Sequence, residues 1–157
     1  MNPRTVPELV EAAAGRFGDR PFLRIGRTTR TYAETRAAAA GMAGALAARG
    51  CRPGDRVAAL LGNRVELVDL VLGCAWLGAV VVPLNTALRG GSLEHALREA
   101  RPRFLYAEAE LAARAVGAGY RGEVWTPTPP RTERERHGRT PAAHLRRHRH
   151  GRHRQDG

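Results

Sequence analysis

The chain has 157 residues and a formal charge of +11, with 26 basic residues that are all Arg against 15 acids. It contains no Lys and a single Ser, Ser92. Two cysteines, Cys51 and Cys74, without CxxC spacing exclude a disulfide scaffold and point to a reducing compartment. Met1 to Glu11 has no apolar stretch and carries Glu8 and Glu11, so no secretory signal is read there. The uncharged run Leu70 to Leu84 is shorter than the ~20 residues a spanning helix needs, and Pro83 interrupts it. It reads as a helix end entering a buried strand, and a cytoplasmic chain with no membrane partner is expected.

Charge and composition divide the chain. Residues 1–122 carry 17 Arg and 11 acids in an alternation of apolar patterns, while the last 35 carry nine Arg, four acids and five of the six His. The expected organisation is an α/β portion over 1–122 and a basic tail over 123–157.

In chain order, Val6 to Phe17 is an amphipathic helix with Leu9, Val10, Ala13 and Phe17 near one face. Phe22 to Ile25 is a strand, followed by a turn and a second short extended piece. Thr31 with Glu34 forms a capping box for a helix from Tyr32 to Arg49, whose buried stripe is Tyr32, Ala39, Ala43 and Leu46. Gly50 suits the left-handed stop of that helix, and Pro53-Gly54 suits a type II turn. Arg56 to Leu61 is a strand apolar on both faces, as a strand covered on both sides requires.

Asn63 and Glu66 read as a second capping box for a helix to Leu77 that buries Val65, Val68, Leu72 and Trp76. Ala79 to Leu84 is a second buried strand. Ser92 caps a further helix, Pro102 breaks it, and Phe104 to Ala107 is a strand followed by a helix from Glu108 to Val116. Glu123 to Thr126 is a candidate short strand. Beyond it, residues 127–157 are nearly devoid of apolar side chains and are read as disordered. Helices returning the chain to one end of a growing sheet connect parallel strands, so the fold class is α/β with a partial parallel sheet.

Four stretches in this order resemble the start of AMP-forming acyl-CoA synthetases, members of the adenylate-forming (ANL) superfamily of AMP-dependent synthetases and ligases. They are Thr31-Tyr32-Ala33-Glu34; Gly50 with Pro53-Gly54-Asp55-Arg56-Val57; Asn63 with Glu66; and Gly78-Ala79-Val80-Val81-Val82-Pro83-Leu84-Asn85. The continuation Asn85 to Gly90 is similar to fatty-acid and carnitine-type CoA ligases, and the likeness covers roughly residues 5–116. The resemblance implies activation of a small carboxylic acid with ATP and Mg²⁺, then transfer of the acyl group to CoA. It also implies a Ser/Thr/Gly-rich phosphate loop ending in Pro-Lys, an acidic site for Mg²⁺ and ribose, and a catalytic Lys. None of these has a match here, and Arg does not replace a compact ammonium donor. No catalytic, cofactor-binding or metal residue is therefore assigned in this chain. A truncated family member, inactive alone, is expected, its tail of the kind a shifted reading frame in a GC-rich gene would encode.

Other signals have ordinary readings. Gly117 to Gly122 fits GxGxxG, but it follows a helix and precedes a candidate strand, opposite to the dinucleotide fingerprint. Gly90-Gly91-Ser92 reads as an N-cap rather than an anion site. His95 with Glu94 and Glu99 reads as a solvated helix face. Cys51 and Cys74 read as a turn residue and a small core residue. The tail His144, His148, His150 and His153 lack structural-zinc spacing. The tail arginines favour salt-sensitive, non-specific contact with nucleic acid without a base-reading element. Three functions compete: an inactive ligase portion, a basic nucleic-acid module, and a fragment that complements a separate chain.

Overall fold

The computed structural model describes residues 5–127. Thr5 and Glu8 exchange bonds in a capping box at the head of α1 (Val6–Phe17). The strands β1 (Pro21–Ile25) and β2 (Thr28–Thr31) pair antiparallel around a two-residue turn with Gly26 at φ 57°. At the start of α2 (Tyr32–Ala48) the Glu34 N–H donates to Thr31 Oγ1 at 3.1 Å, and the Thr31 N–H to Glu34 at 2.8 Å. Gly50, at φ 79°, donates to the Ala47 carbonyl while Cys51 donates to that of Leu46, the paired closure of a Schellman end. The buried stripe of α2 is Thr35, Ala39, Ala43 and Leu46. Tyr32, expected in that stripe, is half-buried and packs against Phe17 and Phe22 with ring centroids 5.0 and 4.7 Å away.

Pro53-Gly54 makes the expected turn, with the Asp55 N–H donating to the Arg52 carbonyl at 3.0 Å and Gly54 at φ 86°. There follow β3 (Arg56–Leu60), α3 (Val65–Leu77), β4 (Val80–Pro83), α4 (Gly90–Ala100), β5 (Phe104–Ala107), α5 (Ala109–Gly117) and β6 (Glu123–Trp125). The last four strands form one parallel sheet in the order β4-β3-β5-β6. Pairing of Glu123–Trp125 with Phe104–Tyr106 carries the sheet past residue 122, where the α/β portion was expected to end.

Chain direction reverses across β3: the chain moves to β4 on one side, then crosses to β5 on the other. Right-handed crossovers require helices on opposite faces for those two moves. Accordingly Val57, Ala59, Phe104 and Tyr106 pack with Leu46, Leu70 and Cys74 of α2 and α3. Ala58, Leu60, Leu105 and Ala107 pack with Leu93, Leu97, Ala112 and Ala115 of α4 and α5.

Four expectations are corrected. Asn63 caps nothing: the chain stays extended through Arg64 (φ −126°, ψ 153°), α3 begins at Val65, and no side chain caps it. Its buried face is Asp69, Leu70, Gly73 and Cys74, while Val65, Val68, Leu72 and Trp76 are half-buried. Ser92 lies inside α4, whose cap position is Arg89. Among the described residues β4 is an edge rather than a fully buried strand, with Val80 48% exposed. Residues 128–157, including nearly all of the stretch read as disordered, lie outside the described residues.

Helices α2 and α3 approach closely at Gly73. A Cβ on Gly73 would lie 2.5 Å from Met42 Cγ and 3.1 Å from the Ala43 nitrogen. Gly73→Ala should therefore cost about 1–3 kcal/mol in urea unfolding through overpacking. Gly41, exposed in α2 with nothing within 4 Å of a Cβ, provides the contrast. Gly41→Ala should gain about 0.5–1 kcal/mol in the same measurement.

Candidate functional site at the carboxyl ends of β3 and β5

In open α/β sheets ligands sit outside the carboxyl ends of strands, where successive connections leave in opposite directions. Here that place lies between β3, which continues toward β4, and β5, which continues toward β6. The segment after β3 is Leu61-Gly62-Asn63-Arg64, and the residue after β5 is Glu108. The Gly62 N–H donates to Glu108 Oε1 at 3.0 Å, closing the gap between the two strand ends. Arg64 donates to the Glu66 carboxylate through Nη2 at 2.9 Å and Nε at 3.3 Å. Beside them Arg30, from β2, is ion-paired with Asp69 on the buried face of α3. The buried Tyr106 of β5 stands behind this set.

The electrostatics follow from this pairing. The Arg64 guanidinium holds the Glu66 carboxyl below its ordinary value, against the opposing effect of burial. Asp69 is pushed up, because burial outweighs the hydrogen bond and charge of Arg30. The Tyr106 phenol is pushed up to about 12, first by burial and then by the Glu66 and Asp69 charges. All three carboxylates are engaged, Glu66 and Asp69 with guanidinium groups and Glu108 with a backbone N–H. The cluster is thus a polar wall rather than an open set of ligands or a nucleophile with its base.

The other residues singled out by sequence do not gather here. Glu94, His95 and Arg98 form an exposed ladder along α4, with Arg98 Nη2 3.1 Å from His95 Nδ1 and Nη1 3.6 Å from Glu94. Glu99 is exposed on the same helix. Both cysteines are buried between the sheet and the α2–α3 layer, and burial pushes the Cys74 thiol up to about 12. Cys51, expected as a turn residue, therefore also belongs to the core. Gly117 to Gly122 joins the end of α5 to β6, the reverse of the strand-to-helix order a dinucleotide needs. Gly122 serves packing there, since its Cβ would lie 2.3 Å from Tyr120 Oη. The tail histidines lie outside the described residues. Arg30, Arg64, Asp69 and Glu108 were not singled out by sequence. Asp69 carried a signal, as an acid set among the apolar residues of α3.

A family model described as AMP-binding enzyme matches residues 10–148, extending beyond the 5–116 over which the motifs are legible. The chain is 38% identical over 112 residues to a medium/long-chain-fatty-acid–CoA ligase of Mycobacterium tuberculosis, covering 71% of this chain and 19% of that one. It is 35% identical over 115 residues to the 2-succinylbenzoate–CoA ligase of Geobacillus kaustophilus, covering 73% and 24%. The chain thus spans about a fifth to a quarter of the length of these relatives. Among solved structures, a long-chain-fatty-acid CoA ligase from Rhodopseudomonas palustris superposes with a TM-score of 0.76 at 23% identity, covering 83% of this chain and 34% of that chain. A benzoate CoA ligase from Burkholderia xenovorans gives 0.73 at 20%, covering 81% and 26%. Both show a shared fold.

Removing Arg30 strands a carboxylate that is 10% exposed. Arg30→Ala should lower stability by about 3 kcal/mol in urea unfolding, and Arg30→Leu combined with Asp69→Leu should restore most of it. Glu66 supplies a pH test. Its folded value is lowered, so its contribution is present above the unfolded value of about 4.3 and is lost as pH falls through the folded one. Asp69 is raised and acts oppositely, costing stability as pH rises above about 3.9. Glu66→Gln should therefore flatten the acid limb of urea midpoints measured from about pH 5 to 3.

Proposed function

Because this chain belongs to the AMP-binding enzyme family, we propose that it supplies the amino-terminal scaffold of an acyl-CoA synthetase acting in the cytoplasm. The whole enzyme would activate a small carboxylic acid with ATP and Mg²⁺ and pass the acyl group to CoA. The observation that carries this reading is the 35–38% identity to two CoA ligases over most of the described residues. The residues present do not fit ATP and Mg²⁺ by themselves. With no Lys and one Ser, the 157 residues hold no lysine-ended phosphate loop and no catalytic Lys. The carboxylates at the carboxyl ends of the strands are already engaged by Arg30, Arg64 and Gly62. We assign the chain the role of positioning: its sheet ends form one wall of a site whose reactive groups belong to the remainder of the ligase.

A second reading, complementation by a separate chain, is favoured by one feature. Val6, Leu9 and Phe22 are 45%, 49% and 48% exposed around a cavity of about 230 Å³ that Val10, Ala13, Tyr32 and Thr35 also line. Exposed apolar area of this kind fits a face that the rest of a ligase covers.

The purified 157-residue chain, assayed with ATP, Mg²⁺, CoA and a panel of carboxylic acids, should release no AMP in an acid-dependent manner. Such release would overturn the positioning role. The isolated chain should also bind an apolar-surface dye; a monomer that binds none would overturn the covered-face reading.

A further inference from the structure

A second cavity, of about 460 Å³, lies at the opposite end of the sheet, between the last turn of α4 and the connection from α5 to β6. Its volume falls within the roughly 300–1,000 Å³ of small-molecule sites. Arg98, Arg101 and Arg121 line it, with Glu94 as the only acid on its walls among the described residues. Arg98 pairs with Glu94 at 3.6 Å on the exposed face of α4, a contact an anion would compete with, while Arg49 and Arg103 are held more closely, to Glu123 at 3.2 Å and to Asp55 at 2.7 Å. Arg121 uses one nitrogen, Nη1, on the carbonyls of Val116 and Tyr120, leaving the rest of its guanidinium to face other acceptors. The Arg101 guanidinium makes no hydrogen bond or ion pair among the described residues.

Arg101 is also the one non-glycine residue at positive φ among the described residues, at φ 44° and ψ 53° in the cap position of α4. Glycine is the relaxed choice at a left-handed helix end, because a Cβ there is strained. A strained backbone position filled by a long cation, on the rim of a cavity with two further cations, calls for a function outside the fold itself. The glycines opposite suit the same end. Gly119, at φ 92°, has nothing within 4 Å of a Cβ and leaves its side of the cavity open.

We propose that this groove binds a small phosphate-bearing molecule, with Arg98, Arg101 and Arg121 as its cationic grip. Guanidinium forks match phosphate oxygens in pairs, and three of them around one cavity suit a ligand with more than one negative charge. The groove lies at the amino ends of the strands, away from the carboxyl-end wall, so the proposal stands independently of the ligase reading.

The test titrates the ¹⁵N-labelled full chain with inorganic pyrophosphate at low ionic strength, following the amides of Ala118, Gly119 and Gly122 and the Arg side-chain signals. Saturable shifts at these positions are expected. Arg101→Gly removes the cation while relieving the backbone, so it should unfold at an equal or higher urea midpoint yet bind pyrophosphate at least about tenfold more weakly. Arg98→Ala with Arg121→Ala should also weaken binding. Shifts confined to residues 128–157, non-saturable shifts, or wild-type affinity in Arg101→Gly would each overturn the proposal. A parallel arm uses phosphatidylglycerol vesicles. Capture by vesicles that Arg101→Gly abolishes, without saturable pyrophosphate binding, would assign the groove to a lipid headgroup and overturn the free ligand.

Discussion

A strand hydrogen-bonded along both edges and covered on both faces has only its ends left; β3 is such a strand, and so is its neighbour β5. Val57, Ala58, Ala59 and Leu60 are all nearly inaccessible, each flanked by residues of both neighbouring strands or by a covering helix. The elements of the parallel sheet are placed by what β3 needs. Its two parallel partners demand crossovers, and the handedness of those crossovers sends α3 to one face and α4 to the other. The small residues Ala58 and Ala59 allow both helical layers to come close, as Gly73 does where α3 meets α2.

The same geometry sorts the charges. Helices that return the chain antiparallel to the strands bring their amino ends to the carboxyl edge of the sheet and their carboxyl ends to the amino edge. Helix amino ends favour acids and carboxyl ends favour bases. Glu66 lies in the first turn of α3 and Glu110 in that of α5. At the other edge, Arg98 lies in the last turn of α4 and Arg121 donates to the Val116 carbonyl at the end of α5. The mildly basic body of the chain is thus a polarised one. The paired carboxylates mark the edge where family members of this fold class would work, and the arginines mark the edge where a separate anion is proposed to sit.

Much of this was legible from sequence wherever one local rule acted alone. Thr31 with Glu34, Gly50, and Pro53-Gly54 each did what their chemistry requires, because cap, stop and turn depend on a few adjacent backbone angles. Asn63 failed where two rules competed. It carried the right spacing to Glu66, but the chain remained extended for one more residue, and Arg64 took the Glu66 carboxylate for itself. The buried face of α3 is set instead by its packing on the sheet and on α2, which brings Asp69 inward and leaves Trp76 half-buried. The Arg30–Asp69 pair was illegible for a different reason: its members are far apart in sequence, and only the docking of the hairpin on α3 joins them. The edge position of β4 was hidden too, since Val80-Val81-Val82 reads the same whether a strand has one neighbour or two.

That edge has its own safeguard. Val80 donates inward to Asp55 and Leu84 inward to Ala59, so in a strand of alternating sense the nitrogens of Val81 and Pro83 point outward. Proline has no hydrogen to offer, which leaves Val81 as the sole outward donor of β4. An exposed valine ribbon would otherwise be a ready template for a stray chain to zip onto. One missing proton blunts that template.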